Sequence, residues 1–373
     1  MSNVVTLPLA AGRAVPRAAH APHLALLGTG TVGSAFVARW AALRERGITL
    51  PDFAWMSNSR ALRACADAPA AALACLRDAP PREGAWSPWV ESEGLRRGDI
   101  VVDASASDVV AGWHGEWLAR GVHVVTANKL GAGADRGRAH AIECAARAGG
   151  AHYGDAATVG AGLPLLRSIR ALRDGGDRVH AVAGVLSGSL AWLFDRYDGR
   201  RPFSGFVRQA REAGYTEPDP REDLSGEDVR RKLLILARAA GMMLEAHEVA
   251  VESLLTPELA AAAPADVDAA LCGLDAPLRE RHAQAHRNGA RLRFIARLAR
   301  RDDDGVDASV GPEALAPDDP LAIGAGTDNR VAIWSDRYRD QPLVVQGPGA
   351  GAEVTAAALL DDVLRIAGAR ARE

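Results

Sequence analysis

Lysine is nearly absent from this chain. Of its 44 basic residues only two are lysine, Lys129 and Lys232, and the other 42 are arginine. Arginine is therefore accepted wherever a positive charge suffices. A guanidinium stays protonated in proteins, whereas a lysine ammonium is compact and its pKa shifts on burial. Two interpretations stay open here: the two lysines stand where arginine would fail, or a rare residue has fallen there by chance.

Cysteine, long apolar runs and basic blocks are also scarce. Four cysteines occur, Cys65, Cys75, Cys144 and Cys272. They have no C-x-x-C spacing and no nearby histidines that could complete a zinc site, so we predict no zinc and expect reduced thiols in a cytoplasmic protein. The longest apolar runs, such as Leu233–Ala237, fall far short of the roughly 18 residues that span a bilayer. The chain has no basic block and no stripe of aromatic and basic residues, so nothing in the sequence indicates nucleic-acid binding.

The length of 373 residues exceeds what one core supports, since single cores stop growing at roughly 250–300 residues. We therefore expect at least two domains. A hydrophobic fraction of 48% and a net charge of −3 are ordinary for a soluble globular protein. Residues 1–20 lack the apolar core of a signal peptide, and we expect them to form a disordered leader.

A glycine-rich turn opens the ordered part. The apolar strand His23–Leu27 is followed by Gly28-Thr29-Gly30-Thr31-Val32-Gly33, and Ser34–Arg46 is predicted as a helix. In a G-x-G-x-x-G turn the first glycine permits the tight bend, the second lets the backbone approach a pyrophosphate, and the third packs helix on strand. Glycine-rich loops of purely structural origin are common, but the place between a strand and a helix favours dinucleotide binding.

The second strand, Asp52–Met56, bears on cofactor choice. It ends in Ser57-Asn58-Ser59-Arg60, where enzymes selective for NAD usually carry an acidic residue and where an arginine can pair with the NADP 2′-phosphate. Arg60 favours NADP. NAD stays the alternative, because a solvated surface arginine is an equally good interpretation in this chain.

Two more buried strands end in polar residues. Ser105 and Ser107 follow the strand Asp99–Ala104, and Lys129 follows the strand Gly121–Thr126. Ligands of open α/β sheets bind outside the carboxyl ends of the strands. Topology alone therefore places Lys129 at the cofactor crevice.

The fold class predicted is α/β, with a Rossmann-type doubly wound parallel sheet and an α+β second domain. We place a dinucleotide-binding domain at 21–150, completed by the late strand and helix of 343–373, and a substrate-binding and dimerisation domain at 151–342. Residues 66–98 are predicted as a helix plus an irregular connection. Residues 257–321 mix Ala-rich segments with turns and allow no assignment of elements.

The segment from Gly214 to Lys232 carries the densest group of acidic residues. Pro218 and Pro220 hold its first half extended, and Ser225 with Asp228 predicts a capping box for a helix to about residue 240. Asp228 and Lys232 then share one helical face. A surface ion pair is the plain interpretation. The alternative is that Lys232, unlike an arginine, donates a proton to the alkoxide that develops during hydride transfer. Nearby carboxylates would then bind an amino-acid substrate, namely those of Glu217, Asp219 and Asp223.

Five motifs together resemble homoserine dehydrogenase, particularly the dehydrogenase part of bifunctional aspartokinase–homoserine dehydrogenases. The resemblance covers roughly residues 23 to 370. Its motifs are Thr126-Ala127-Asn128-Lys129, Val159-Gly160-Ala161-Gly162-Leu163-Pro164, Leu186-Ser187-Gly188-Ser189-Leu190, the Gly214–Lys232 segment, and Gly349-Ala350-Gly351 with Val354-Thr355-Ala356.

The resemblance implies roles for individual residues. Lys129, Lys232 and Asp228 match the hydride-transfer site; Glu217, Tyr215, Asp223 and Ser189 match the substrate pocket; Gly30, Thr31, Val32, Ser105, Lys129 and Gly351 match cofactor contacts. The family also binds a monovalent cation through backbone carbonyls, here those of Ala156, Val159, Ala161 and Leu163. Ala156 stands where the family commonly has an acidic residue, although carbonyl ligands do not depend on side chains.

The activity implied is the NADP- or NAD-dependent interconversion of L-aspartate 4-semialdehyde and L-homoserine, a step in threonine, methionine and isoleucine biosynthesis. A homodimer acting on a small molecule is implied as well. Feedback control through a regulatory domain after Ala369 is not expected. Two other functions stay open: another Rossmann oxidoreductase acting on an amino-acid aldehyde, and a cofactor-sensing regulator without catalysis.

Overall fold

A computed structural model describes residues 21–65, 68–81, 93–324 and 326–370. Their strands form two six-stranded sheets, each covered by helices. The α/β fold class with a Rossmann-type sheet and a second, α+β part is confirmed. The predicted leader, residues 1–20, lies outside the described residues.

The first sheet has the strand order β3-β2-β1-β4-β5-β6. Its strands are β1 (His23–Leu27), β2 (Asp52–Ser57), β3 (Leu62–Ala64), β4 (Ile100–Asp103), β5 (His123–Thr126) and β6 (Tyr153–Gly154). All neighbours pair in parallel except β2 and β3. The order reverses between β1 and β4, which is where open parallel sheets bind ligands.

Helices cover both faces of this sheet, so its central strands are apolar on both sides. These helices are α1 (Thr31–Glu45), α2 (Pro69–Arg77), α3 (Asp108–Ala119), α4 (Arg136–Gly149) and α13 (Ala352–Arg370). Leu24 and Val102 pack into one apolar core with α1 and α13, and Val101 and Val124 pack into another with α3. The described helix α2 agrees with the helix expected within 66–98.

The second sheet has the order β12-β11-β7-β9-β10-β8. Its strands are β7 (Val179–Val185), β8 (Ala250–Val251), β9 (Arg291–Arg300), β10 (Val306–Leu315), β11 (Asp328–Ser335) and β12 (Leu343–Pro348). The pairs are antiparallel except β10 with β8. The described part of the chain adds eight α-helices to it: α5 (Leu165–Asp174), α6 (Gly188–Arg196), α7 (Phe203–Glu212), α8 (Arg221–Leu224), α9 (Glu227–Ala239), α10 (Pro257–Ala261), α11 (Val267–Ala270) and α12 (Asp275–Arg287).

The structure differs from expectation for residues 343–373. The late strand β12 pairs with β11 in the second sheet, with Val345 opposite Val331. Only α13 returns to the first sheet, where it packs against α1. The segment 257–321, which the sequence left unassigned, contains α10 to α12 and the long hairpin of β9 and β10.

Among the helices of the described ranges, none has both the length and the apolar character that crossing a membrane requires.

Candidate active site

The two lysines of the chain meet at one carboxylate. Lys232 Nζ lies 2.8 Å from Asp228 Oδ2, and Lys129 Nζ lies 3.3 Å from Asp228 Oδ1. Lys232 Nζ also donates a hydrogen bond to the Leu186 carbonyl oxygen at 2.8 Å. Lys232 comes from α9 in the second part of the chain, whereas Lys129 follows β5 of the first sheet. The carboxylate therefore joins the two parts across the cleft between them.

The start of α9 explains how this geometry arises, and it corrects the predicted capping box. Gly226 precedes the helix in the left-handed conformation, with φ +79°. The Ser225 hydroxyl accepts from the Glu227 N–H at 3.2 Å and donates to the Glu222 carbonyl at 2.7 Å. The capping box is wrong because Asp228 turns towards the lysines instead of back to the helix start.

The two ammonium groups control the charge of Asp228. Burial raises the pKa of this carboxyl, but the positive charges of Lys232 and Lys129 outweigh burial and hold its pKa well below the usual range. Asp228 is therefore an anion at every physiological pH. Its negative charge lets two ammonium groups approach one another at the same site.

Three residues of the predicted substrate pocket are joined through Asp223. Asp223 Oδ1 accepts from the Ser189 hydroxyl at 2.6 Å, and Asp223 Oδ2 accepts from the Glu217 backbone N–H at 2.9 Å. The Asp223 carboxylate thus fixes the Glu217 loop on the start of α6. Tyr215 lies on the same loop, with its ring 5.4 Å from the Trp192 ring. Since both Asp223 oxygens are engaged, Glu217 is the freer carboxylate of the two.

These groups line one cleft with a volume of about 700 Å³. Its predicted lining residues are Lys129, Ser189, Tyr215, Glu217, Asp223, Asp228, Lys232 and Gly351. The sequence missed Arg231 and Thr327, which also line it. Arg231 follows Asp228 by three positions on α9, so helical periodicity could have found it. Thr327 lies just before β11 and carries no comparable signal.

The glycine turn after β1 is shaped by close backbone contacts. A Cβ on Gly28 would lie 2.7 Å from the Ala104 carbonyl carbon, and a Cβ on Gly33 would lie 1.9 Å from the Gly28 carbonyl oxygen. Gly30 differs, because a Cβ there would meet nothing within 4 Å. The space that Gly30 leaves lies at the first turn of α1, where Thr31 and Val32 begin the helix without a side-chain cap. Backbone N–H groups at such a turn suit a phosphate.

The remaining predicted cofactor residues lie at the ends of neighbouring strands. Ser105 follows β4, and its hydroxyl donates to Asp103 Oδ1 at 2.6 Å. Arg60 follows β2, but its guanidinium donates to the carbonyls of Arg77, the last residue of α2, at 3.2 Å and of Ala79 at 3.4 Å. The structure thus gives Arg60 partners within the protein at the position predicted for a 2′-phosphate contact.

The predicted cation ligands lie on the connection from β6 to α5, at residues 156–163. Ala156, Val159 and Ala161 are buried. The Leu163 carbonyl accepts the Leu165 N–H at 2.8 Å, so a cation would share it. Within the described ranges no group of three or more His, Cys, Asp or Glu side chains could hold a metal ion.

Known families match both parts of the chain. Residues 28–154 match the family model of the homoserine dehydrogenase NAD binding domain, and residues 164–364 match that of homoserine dehydrogenase. The chain belongs to the homoserine dehydrogenase family. The resemblance drawn from five motifs is thereby confirmed. A homoserine dehydrogenase of Saccharomyces cerevisiae is 32% identical over 364 residues, covering 92% of this chain and 98% of the relative.

Bifunctional members of the homoserine dehydrogenase family are similar over part of their length. Bifunctional aspartokinase/homoserine dehydrogenase 2 of Zea mays, a chloroplastic protein, is 41% identical over 271 residues. The match covers 72% of this chain and 29% of that relative. The corresponding Escherichia coli K12 protein is 42% identical over 268 residues, with 72% and 33% covered. The chain therefore spans about a third of these relatives or less.

Solved structures share the fold over nearly the whole chain. A Candida auris protein of unknown function is 31% identical, with a TM-score of 0.82, and the match covers 93% of this chain and 98% of that one. A hyperthermophilic archaeal homoserine dehydrogenase solved with NADPH has a TM-score of 0.69 at 22% identity, with 92% and 97% covered. The second likeness concerns the fold alone.

Proposed function

We propose that the protein is a homoserine dehydrogenase that interconverts L-homoserine and L-aspartate 4-semialdehyde with a nicotinamide dinucleotide. The observation that carries this proposal is the meeting of Lys129 and Lys232 at Asp228, in a cleft that also contains Glu217. For an alcohol that carries an ammonium group, this cleft supplies an amine that can transfer a proton and a carboxylate, that of Asp228, that orients the amine. The second carboxylate, that of Glu217, can bind the ammonium group of the substrate.

The residues of the first sheet suit the dinucleotide. The Gly28–Gly33 turn, the N–H groups at the start of α1, Ser105 and Gly351 would hold it along the cleft. Gly30 leaves room where the backbone approaches a pyrophosphate. When bound, the nicotinamide ring accepts or supplies the hydride of the reaction.

The protein's own residues bind the substrate and move the proton. Glu217 binds the substrate ammonium, and Asp223 holds the Glu217 loop through its backbone N–H. Lys129 or Lys232 protonates the C4 oxygen as the aldehyde is reduced and takes the proton back in the reverse direction. Asp228 orients both amines, one through each of its carboxylate oxygens.

Four finer features belong to the same proposal. NADP is the preferred dinucleotide, because the described residues following β2 include Arg60 and no acidic side chain before β3; NAD is the weaker alternative. A monovalent cation binds the carbonyls of residues 156–163. The protein acts as a cytoplasmic homodimer. The chain divides near residue 150, with the dinucleotide on the first sheet, to which α13 returns, and the substrate on the second sheet, which includes β12.

The direct test is the reduction of NADP by the purified protein with L-homoserine, followed by absorbance. We expect turnover with L-homoserine and none with L-threonine or L-serine, whose hydroxyls lie one carbon closer to the ammonium. Turnover of a different amino alcohol in place of L-homoserine would support another oxidoreductase. A protein that binds NADPH tightly yet turns over no amino alcohol would be a cofactor sensor.

A further inference from the structure

One buried carboxylate, that of Asp103, collects four hydrogen bonds beneath the cleft. Asp103 ends β4 and is fully buried. Its Oδ1 accepts from the Ser105 N–H at 2.9 Å and the Ser105 hydroxyl at 2.6 Å, and its Oδ2 accepts from Asn128 Nδ2 at 3.0 Å and His114 Nε2 at 3.0 Å. A buried charge requires such a set of donors.

Asp103 joins two loops that face the cleft. Ser105 belongs to the loop after β4, and Asn128 precedes Lys129 on the loop after β5. Asn128 Nδ2 also donates to the Ser107 carbonyl at 2.9 Å, and Asn128 Oδ1 accepts the Leu130 N–H at 3.0 Å. Movement of the Asp103 carboxylate would therefore displace both the cofactor loop and the backbone that carries Lys129.

His114 on α3 holds Asp103 from below. Its side chain is fully buried, and its Nδ1 lies 3.1 Å from the Tyr153 hydroxyl. Because a carboxylate only accepts, Nε2 of His114 donates in the hydrogen bond to Asp103. Burial raises the pKa of Tyr153 well above its usual value, so its hydroxyl stays protonated.

The loop that carries Lys129 also rests directly on this pair. A Cβ on Gly131 would lie 2.2 Å from the Tyr153 hydroxyl and 3.0 Å from His114 Nδ1. Gly131 follows Lys129 by two positions. The backbone on one side of Lys129 is thus held by Asn128, and the backbone on the other side packs on His114 and Tyr153.

We propose that His114 is a positioning residue: through Asp103 it fixes the loops that carry Ser105 and Lys129, and so sets the distance between the Lys129 amine and the reacting oxygen. His114 itself touches neither the cleft nor a reacting atom. This inference rests on the proposed function, because Lys129 has to act on a substrate for its position to affect the rate.

The test compares two replacements of His114. His114→Phe keeps a ring of similar size but removes the donor to Asp103, and a misplacement of 1 Å costs about 100-fold in rate, so we expect kcat to fall at least tenfold. His114→Gln places an amide nitrogen where Nε2 was, and kcat should stay within about threefold of wild type because the Asp103 hydrogen bond is kept. KM for L-homoserine should change less than kcat in both, because Glu217 and Asp223 lie outside this network.

His123→Phe is the matched control. His123 is also buried, with 3% of its surface exposed, and its Nδ1 accepts the His152 N–H at 2.9 Å. It begins β5, at the end of the sheet opposite the cleft. We expect a lower unfolding temperature with kcat nearly unchanged. Equal kcat for His114→Phe and His114→Gln, or a kcat for His114→Phe as close to wild type as that of His123→Phe, would overturn the proposal.

NADPH binding, measured by fluorescence, separates the two proposals. If the wild-type protein turns over no L-homoserine, the proposed function fails, and His114 is judged on the dissociation constant alone. The Ser105 loop then predicts weaker NADPH binding for His114→Phe and wild-type binding for His114→Gln. The same affinity in both variants would show that His114 has only a structural role.

Discussion

The two ends of the cleft are built by different means. At the substrate end, side chains make the site: two amines on one carboxylate, and a second carboxylate that ties a loop to a helix. At the dinucleotide end, backbone makes it, because Gly28 and Gly33 are needed for close approach and α1 begins without a side-chain cap. Substitutions should therefore act through charge and proton transfer at the substrate end and through steric contact with the backbone at the dinucleotide end.

Replacing Lys232 by arginine should produce the largest effect. The guanidinium of the Lys232→Arg protein would keep the charge beside Asp228 but could not release a proton. Since general acid–base catalysis contributes about 10²–10⁴-fold, we expect kcat/KM for L-homoserine to fall about 1,000-fold. Steady-state rates with L-homoserine and NADP measure this.

The control for this prediction is Arg230→Lys on the same helix. Arg230 forms an ion pair with Glu227, and its own side chain does not line the cleft. We expect rates within about twofold of wild type, because lysine keeps the charge and partly exposed ion pairs contribute little. A Lys232→Arg protein with near wild-type activity would mean that Lys232 supplies charge only, and Lys129 would then be the proton donor.

Two glycine variants test the dinucleotide end, with the next largest effect. Gly33→Ala should disturb the turn in the free protein, because its Cβ meets the Gly28 carbonyl oxygen at 1.9 Å. Gly30→Ala meets nothing within 4 Å, so its unfolding temperature should equal that of wild type. If a pyrophosphate approaches the backbone there, the NADPH dissociation constant should still rise about tenfold.

Thermal unfolding and NADPH titration of both variants test whether the pyrophosphate binds at this turn. An unchanged NADPH affinity for Gly30→Ala would place the dinucleotide away from this turn. Loss of stability in Gly30→Ala would instead contradict the open space that the structure gives it.

The first sheet could be predicted from sequence because its signals are local. The apolar strand His23–Leu27, the glycine turn and the apolar run before Ser105 each contain their own evidence. The sheet that β12 joins could not be predicted in this way. Its pairing with β11 depends on contacts between segments distant in the chain, and the predicted return of residues 343–373 to the first sheet is made by α13 alone.

The candidate site shows the same division between local and distant information. Lysine scarcity singled out Lys129 and Lys232, which the structure brings together across 103 positions of chain. The capping box predicted for Ser225 and Asp228 was wrong because the same local pattern is compatible with a helix that begins after Gly226. The attraction of Asp228 to two ammonium groups depends on residues outside the pattern and could not be predicted from it. The network under Lys129 was missed because no motif links His114 to Asp103.

A smaller effect is expected at Arg60, a charged contact predicted at the dinucleotide end. Arg60→Ala should raise the dissociation constant of NADPH about three- to fivefold and leave that of NADH unchanged, because exposed charge contacts are weak. The guanidinium also has to leave the carbonyls of Arg77 and Ala79 to reach a phosphate. Arg63→Ala, which removes an exposed arginine of β3, is the control. Equal weakening of both dinucleotides by Arg60→Ala would mean that Arg60 does not set the preference.

The smallest effect should be a pH-dependent loss of stability at the substrate end, in Asp228→Asn. The pKa of Asp228 is lowered in the folded protein, so its contribution is complete above the unfolded value of about 3.9 and is lost as the pH falls through the folded value. At pH 7 we expect the variant to unfold about 2 °C below wild type, because two ammonium groups are left without their shared anion. The gap should narrow as the pH falls below about 4. Calorimetry between pH 3 and 7 measures this difference in unfolding temperature, and Asp302→Asn, at an exposed position, is the control. A difference that does not change with pH would indicate that lost packing rather than lost charge destabilises the variant.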